Sequence, residues 1–198
     1  IVPGLTWVAT AQAALDVGAN VVFADIDPET LCLDPQAFEA AVTPKTKAVL
    51  PVHLYGCMCD MDELMRIARA HDVRVIEDTA HQQGGMWRDQ RAGSIGDAGS
   101  YSFQQSKILT CGEGGAITCD GDEVYEICFA LKHVGNKPDP DQPVAPGEKP
   151  PLVGANHYGH NYRITEMQCA LLRGGLARLE DQNRRREETA ARLRGGLE

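Results

Sequence analysis

The chain has no excess of positive charge: 19 Lys and Arg stand against 28 Asp and Glu, a net charge of −9 over 198 residues. Broad binding to nucleic acid or to an anionic membrane surface is thereby excluded, because neutralising phosphates needs clustered cations. No apolar run approaches the roughly 20 residues needed to span a bilayer. No basic segment leading into an apolar one opens the chain, so a cytoplasmic location is expected. The seven cysteines, at 32, 57, 59, 111, 119, 128 and 169, form no Cys-x-x-Cys pair, which argues against a disulfide framework and a zinc ribbon. Internal repeats and low-complexity tracts are also missing.

What is present is 43% hydrophobic, enough for one sizeable core and one main domain acting on small molecules. Ile1-Val2-Pro3-Gly4 reads as a strand already leaving the core, and the helix running to Glu198 has no cap, so the sequence reads as a fragment. A helix is expected from Thr6, as N-cap, to about Val17, with Gly18 as its stop. A strand follows over Asn20 to Asp25. Asp34-Pro35 caps a short helix through Ala41, and Ala48 to Leu54 reads as a buried strand. Asp60 with Glu63 opens a helix to about His71, followed by a strand over Val73 to Glu77. This βαβα alternation predicts a mostly parallel sheet with helices on both faces. Beyond Asp78 a small hairpin is expected around Trp87 to Arg91, with short strands near Ser100 to Gln104 and Ala116 to Cys119, antiparallel insertions among them. A helix over Asp122 to His133 leads into a mobile loop over Asn136 to Pro151, and a long helix starts at Thr165. The run Arg184-Arg185-Arg186 on it reads as a solvated face.

Three runs carry chemistry: Glu77-Asp78-Thr79-Ala80-His81, Ser102 to Lys107, and Gly112-Glu113-Gly114-Gly115. Together they supply a carboxylate, an imidazole, a hydroxyl and a lysine, the groups that hold pyridoxal phosphate by its ring nitrogen, its phosphate and its aldehyde. Asp78 ends an apolar strand, where open α/β sheets put ligand-binding groups. It either partners a pyridinium or caps the following turn. Lys107, the only lysine between Lys47 and Lys132, is a candidate for the aldehyde or an ordinary surface lysine. Its neighbouring glycines allow a planar cofactor to come close to the backbone. Ser102 is a candidate phosphate donor or a plain strand serine. His81 either contacts the ring hydroxyl or a substrate oxygen, or is structural. Trp7 either stacks on the cofactor or anchors the core. A metal module built from His53, Cys57, Cys59 and His81 is a poor rival, since its Cys-x-Cys pair has no matching second pair.

The runs Thr6 to Thr10, Pro51 to Gly56, Glu77 to His81, Gly93 to Asp97, Ser102 to Lys107, Gly112 to Gly115 and Asn161 to Glu166 resemble, in order and spacing, the sugar and aminocyclitol aminotransferases of the DegT/DnrJ/StrS group. The resemblance covers nearly the whole chain. It implies the α/β type I fold of pyridoxal 5′-phosphate-dependent aminotransferases, three-layered with a mostly parallel sheet. Residues 1–164 then form the large domain without its N-terminal part, and 165–198 form a long helix leading to an absent small domain. By the same resemblance Lys107 matches the lysine that holds the cofactor covalently, Asp78 the pyridinium partner and His81 the residue beside the ring hydroxyl. Ser102 matches a phosphate ligand and Trp7 the stacked aromatic. Asn161 matches an asparagine that reaches the phosphate of the neighbouring subunit, which implies a homodimer with shared sites.

Two departures stand out. The family's glycine-rich phosphate loop ahead of the first helix is absent, as is the small domain. Gln104-Gln105-Ser106 stands where many sugar-nucleotide enzymes carry a histidine, and it is closer to the scyllo-inosose aminotransferases and the 3-amino-5-hydroxybenzoate synthases. The expected reaction is transamination of a keto-sugar or keto-cyclitol with glutamine or glutamate as donor. The alternatives are an aromatising synthase of the second kind and a non-catalytic partner subunit.

Overall fold

The computed structural model describes residues 1–145, 147–155 and 157–197. The chain divides into two compact units, Ile1–Thr118 with Glu166–Glu198, and Cys119–Thr165. The first unit runs β1 (Val2–Pro3), α1 (Val8–Asp16), β2 (Phe23–Ala24), α2 (Pro35–Ala41), β3 (Ala48–Val49), α3 (Met61–Ala70) and β4 (Arg74–Asp78). It continues with β5 (Met86–Trp87), β6 (Gln90–Arg91), β7 (Ala98–Ser102) and β8 (Gly115–Cys119). The second unit carries α4 (Asp122–Lys132), β9 (Asn136–Pro138) and β10 (Leu152–Gly154), and the chain returns to the first as α5 (Glu166–Gly195).

The central sheet has the order β3-β4-β7-β8, with β4 parallel to both β3 and β7. β1 and β2 form a separate parallel pair. The signals for α2 and α3 hold. Asp34 accepts from the amides of Gln36 and Ala37 ahead of Pro35, and Asp60 accepts from the Glu63 amide. α3 buries Met61, Leu64, Ile67 and Ala68, a stripe at helical spacing. These side chains meet Phe38, Val49, Val52, Leu54 and Val75 in one core. Each large side chain buried there contributes roughly 1.5–3 kcal/mol.

Several expectations are corrected. The N-cap of α1 is Trp7, not Thr6, whose hydroxyl bonds to Thr10 Oγ1 instead (3.0 Å). The strand expected over Asn20 to Asp25 shrinks to Phe23–Ala24, the two residues paired with β1. Past Asp78 the first substantial strand, β7, is parallel to β4, and the hairpin β5–β6 alone matches the expected antiparallel insertion in this stretch before it. The segment read as a loop from Asn136 to Pro151 begins with a strand, because Asn136–Pro138 pairs antiparallel with Leu152–Gly154. The arginine run on α5, by contrast, is the solvated face expected: exposed, with Arg184 paired to Asp181 and Glu188, Arg185 to Asp181 and Arg186 to Asn183 along the same helix. Among the described residues no helix is long and apolar enough to cross a membrane.

A buried polar network fixes the C-terminal end of β4. Glu77, fully buried, accepts from Gly93 N (2.8 Å) at Oε2 and from Ile95 N and Gly96 N (2.7 Å each) at Oε1. The fourth partner is His53, also fully buried, with Nε2 at 3.0 Å from Oε2. Because His53 Nδ1 accepts from Cys59 N (3.1 Å), the ring proton sits on Nε2 and is donated to Glu77. Asp97 closes the same loop, its carboxylate accepting from Val75 N and Arg74 Nη1 (2.8 Å each). The run Gly93 to Asp97 is therefore a cradle of amides around a carboxylate.

Burial pushes the Glu77 carboxyl up, but the bonds from His53, Gly96, Gly93 and Ile95 outweigh it and hold the group below its ordinary value. A carboxyl depressed in the folded state stabilises the fold above its unfolded pKa of about 4.3, and that contribution is lost as pH falls through the lower folded value. Glu77→Gln turns an amide N–H₂ towards backbone donors, with an expected cost of about 3 kcal/mol in urea unfolding at neutral pH. The variant is also expected to lose less stability than the parent on acidification below about pH 4.

Candidate active site

Strand alternation turns Asp78 away from the face that Glu77 anchors. Asp78 Oδ2 accepts from Thr10 Oγ1 (2.8 Å) and Oδ1 from Ala80 N (3.1 Å), so it caps the following turn and also receives a buried hydroxyl from α1. Among the described residues it has no cationic partner within 4 Å. A half-buried carboxylate with lone pairs to spare and no cation beside it suits a protonated ring nitrogen.

Ser102 ends β7, the strand next to β4, where Asp78 is in register with Ser100. Its hydroxyl receives only a long bond from Gln104 N (3.4 Å) and remains able to donate. Lys107 follows in a turn closed by its own amide on Gln104 O (2.9 Å). It is half-buried, and no described carboxylate pairs with it. His81 lies in the loop after β4, its ring stacked on Tyr55 with centroids 5.8 Å apart. Burial pushes the His81 imidazole down, the Lys107 ammonium adds to this, and the Asp78 carboxylate opposes both. Asp78, His81, Ser102 and Lys107 are thus brought together at the C-terminal ends of neighbouring parallel strands.

Trp7 is 73% exposed, which rules out the core-anchor reading and leaves its ring free beside the start of α1. Asn161 belongs to the second unit, exposed, with its Oδ1 accepting from Arg163 Nε (2.7 Å) and its backbone bridged to His133. Gln104 Oε1 accepts from the amide (2.8 Å) and hydroxyl (2.6 Å) of Ser106, which closes the Gln104-Gln105-Ser106 run on itself. The glycines behind Lys107 have backbone duties of their own. Gly112 lies at φ +94°, and a Cβ on Gly115 would sit 2.6 Å from the Tyr101 carbonyl.

Two of the four groups in the metal reading are committed to protein partners. Both ring nitrogens of His53 are engaged, and the buried Cys59 thiol, which donates to the Val52 carbonyl (3.2 Å), is pushed well above its ordinary value by the neighbouring Cys32 thiol and by burial. No group of three or more potential ligands is assembled among the described residues. Sequence reasoning missed Thr10, Tyr55 and the structural roles of Glu77 and His53. The pair Thr6 and Thr10, four residues apart across the start of α1, was the available signal for the first.

The model of the DegT/DnrJ/EryC1/StrS aminotransferase family matches residues 1–198. The chain belongs to this family. A family member from Micromonospora echinospora, an L-glutamine:2-deoxy-scyllo-inosose aminotransferase, is 45% identical over all of this chain and 47% of its own length. An L-glutamine:scyllo-inosose aminotransferase of Streptomyces griseus is 42% identical over 98% of this chain and 45% of its own. Among solved structures, a 3-amino-5-hydroxybenzoic acid synthase aligns with a TM-score of 0.81 at 39% identity, covering 94% of this chain and 47% of that one. The chain spans about half the length of the curated relatives it matches. The shared fold is the α/β type I aminotransferase fold with a mostly parallel sheet, as the family resemblance implies.

The charges around His81 set its titration. A histidine depressed by folding adds stability above its ordinary pKa of about 6.5, and this fades as pH falls through the lower folded value. Proton NMR of the imidazole is expected to place its midpoint below that value. Lys107→Met is expected to raise the midpoint and Asp78→Asn to lower it further.

Proposed function

We propose that the protein is a pyridoxal 5′-phosphate-dependent aminotransferase that transfers an amino group from glutamine or glutamate to a keto-cyclitol or a related keto-sugar. The observation that carries this reading is the convergence of Asp78, His81, Ser102 and Lys107 on one sheet end in a chain of this family. The printed names of the Micromonospora and Streptomyces relatives favour a keto-cyclitol acceptor and glutamine as donor. A second reading, an aromatising synthase, draws on the solved synthase alone.

The bound cofactor supplies an aldehyde that captures the donor amine and a pyridinium that withdraws electrons from the donor α-carbon. Asp78 holds the ring nitrogen protonated, its carboxylate kept in place by Thr10 and the Ala80 amide. Ser102 would donate its hydroxyl to the phosphate, and Trp7 would stack on the ring. His81, its imidazole pushed down by burial and stacked on Tyr55, would contact the ring hydroxyl. Lys107 Nζ takes the proton from the donor α-carbon and returns a proton in the opposite half-reaction, acting as general base and then acid. Residues 1–164 are read as the cofactor-binding large domain and 165–198 as the helix leading on from it. Asn161 is assigned to the phosphate of a neighbouring subunit, which makes the working form a homodimer, located in the cytoplasm.

Lys107→Ala is expected to lower single-turnover transamination of scyllo-inosose with glutamine by about 10³-fold, within the range of acid–base catalysis. Borohydride reduction of the loaded wild-type protein, followed by peptide mapping, should label Lys107. Label on another amine, or turnover without Lys107, would refute the proposal, and an aromatic product by mass would favour the synthase.

A further inference from the structure

Gln83 takes no part in the chemistry above, yet it links the two segments that carry it. Its side chain is 98% buried, with 2% of its surface exposed. Nε2 donates one hydrogen to the carbonyl of Ala80 (3.2 Å) and the other to the carbonyl of Ser102 (2.6 Å). Ala80 stands between Asp78 and His81, and Ser102 ends β7. The regular pairing of β4 with β7 stops at Asp78 and Ser100, followed by the Thr79 amide on Ser100 O (2.9 Å). Gln83 therefore ties the two segments together beyond the point where the ladder gives out.

The orientation of the amide is decided by the same contacts. Turning it over would set Oε1 against two carbonyl oxygens, so the observed sense is the only favourable one. Oε1, also buried, has no hydrogen-bond partner among the described residues. The group is thus placed for its donors and not for its acceptor. Its backbone is held from a third side, because Asn183 Nδ2 on α5 donates to the Gln83 carbonyl (3.0 Å).

We propose that Gln83 is a positioning residue that fixes the Ser102 hydroxyl relative to Asp78 and His81, and so sets the distance between the phosphate end and the ring end of the cofactor site. The inference rests on the functional reading above. Its distinguishing consequence is that Gln83 governs recognition of the phosphate and not of the ring. Pyridoxal, which lacks the phosphate, is the probe that separates the two.

The experiment compares equilibrium binding of pyridoxal phosphate and pyridoxal to the wild-type protein, Gln83→Met, Ser102→Ala and the double variant. Thermal melting of each cofactor-free form checks the fold. Gln83→Met keeps the side-chain length and removes both donors. It is expected to weaken pyridoxal phosphate binding about tenfold, the worth of one well-placed hydrogen bond, with little change for pyridoxal. In the Ser102→Ala background the same change should have no further effect on the ratio of the two affinities. If Gln83→Met fails to fold, Gln83→Leu, which is shorter, uncharged and equally without donors, is held to the same expectation. Equal losses for both ligands, no loss for either, or additive effects of the two substitutions would overturn the inference alone. A wild-type protein that binds neither ligand at Lys107 would overturn the functional reading and this inference with it.

Discussion

The Glu77 carboxylate is the constraint on which the rest of the first unit depends. A charge this deeply buried is tolerable only when its lone pairs are filled, and three backbone amides and one imidazole fill them. To supply the amides the chain must wrap residues 93 to 96 around one point. To supply the imidazole, the segment at Val52 must run beside the end of β4, where His53 N donates to Asp78 O (3.1 Å). Gly93 meets this demand at a close approach to the Tyr101 hydroxyl, with φ at +82°, a conformation that suits glycine. The loop and three neighbouring segments are thus organised by one side chain that never meets solvent.

On the other face of the same strand the electrostatics are left open. Asp78 is oriented by a hydroxyl and an amide, neither of which neutralises it, and Lys107 is oriented by its turn with no carboxylate paired to it among the described residues. Opposite charges kept near one another yet unpaired by protein groups are what a zwitterionic or dipolar ligand needs from its host. His81 senses both: burial and Lys107 push its imidazole down from its ordinary value, and Asp78 opposes them. The family membership gives this arrangement a chemical context, while the arrangement itself follows from where β4 and β7 end.

The local signals were legible wherever the relevant partner lay close in sequence. Asp34-Pro35 and Asp60 with Glu63 announced α2 and α3 because an N-cap is satisfied within three residues. The hairpin at Trp87 to Arg91 was readable for the same reason. Thr6 failed as a cap because a better partner, Thr10, lay one turn away, and Thr10 in turn owes its place to Asp78, 68 residues on. The strand Asn136–Pro138 was hidden behind a proline-rich loop whose ends pair with each other. In the site, Asp78, His81, Ser102 and Lys107 were readable as a motif. The roles of Glu77, His53 and Gln83 were not, since each is defined by partners on other strands.

The alternating faces of β4 have a bearing on how such a protein can change over time. Glu77 and Asp78 are neighbours in the gene, chemically almost alike, and turned to opposite sides of one sheet, the first filled by backbone amides and an imidazole and the second by a hydroxyl from α1 and the Ala80 amide. A one-residue insertion or deletion in that strand would exchange their destinations and ruin both at once. Change is therefore channelled away from this dipeptide and towards exposed positions such as Tyr55, which no buried partner among the described residues holds to the frame beneath.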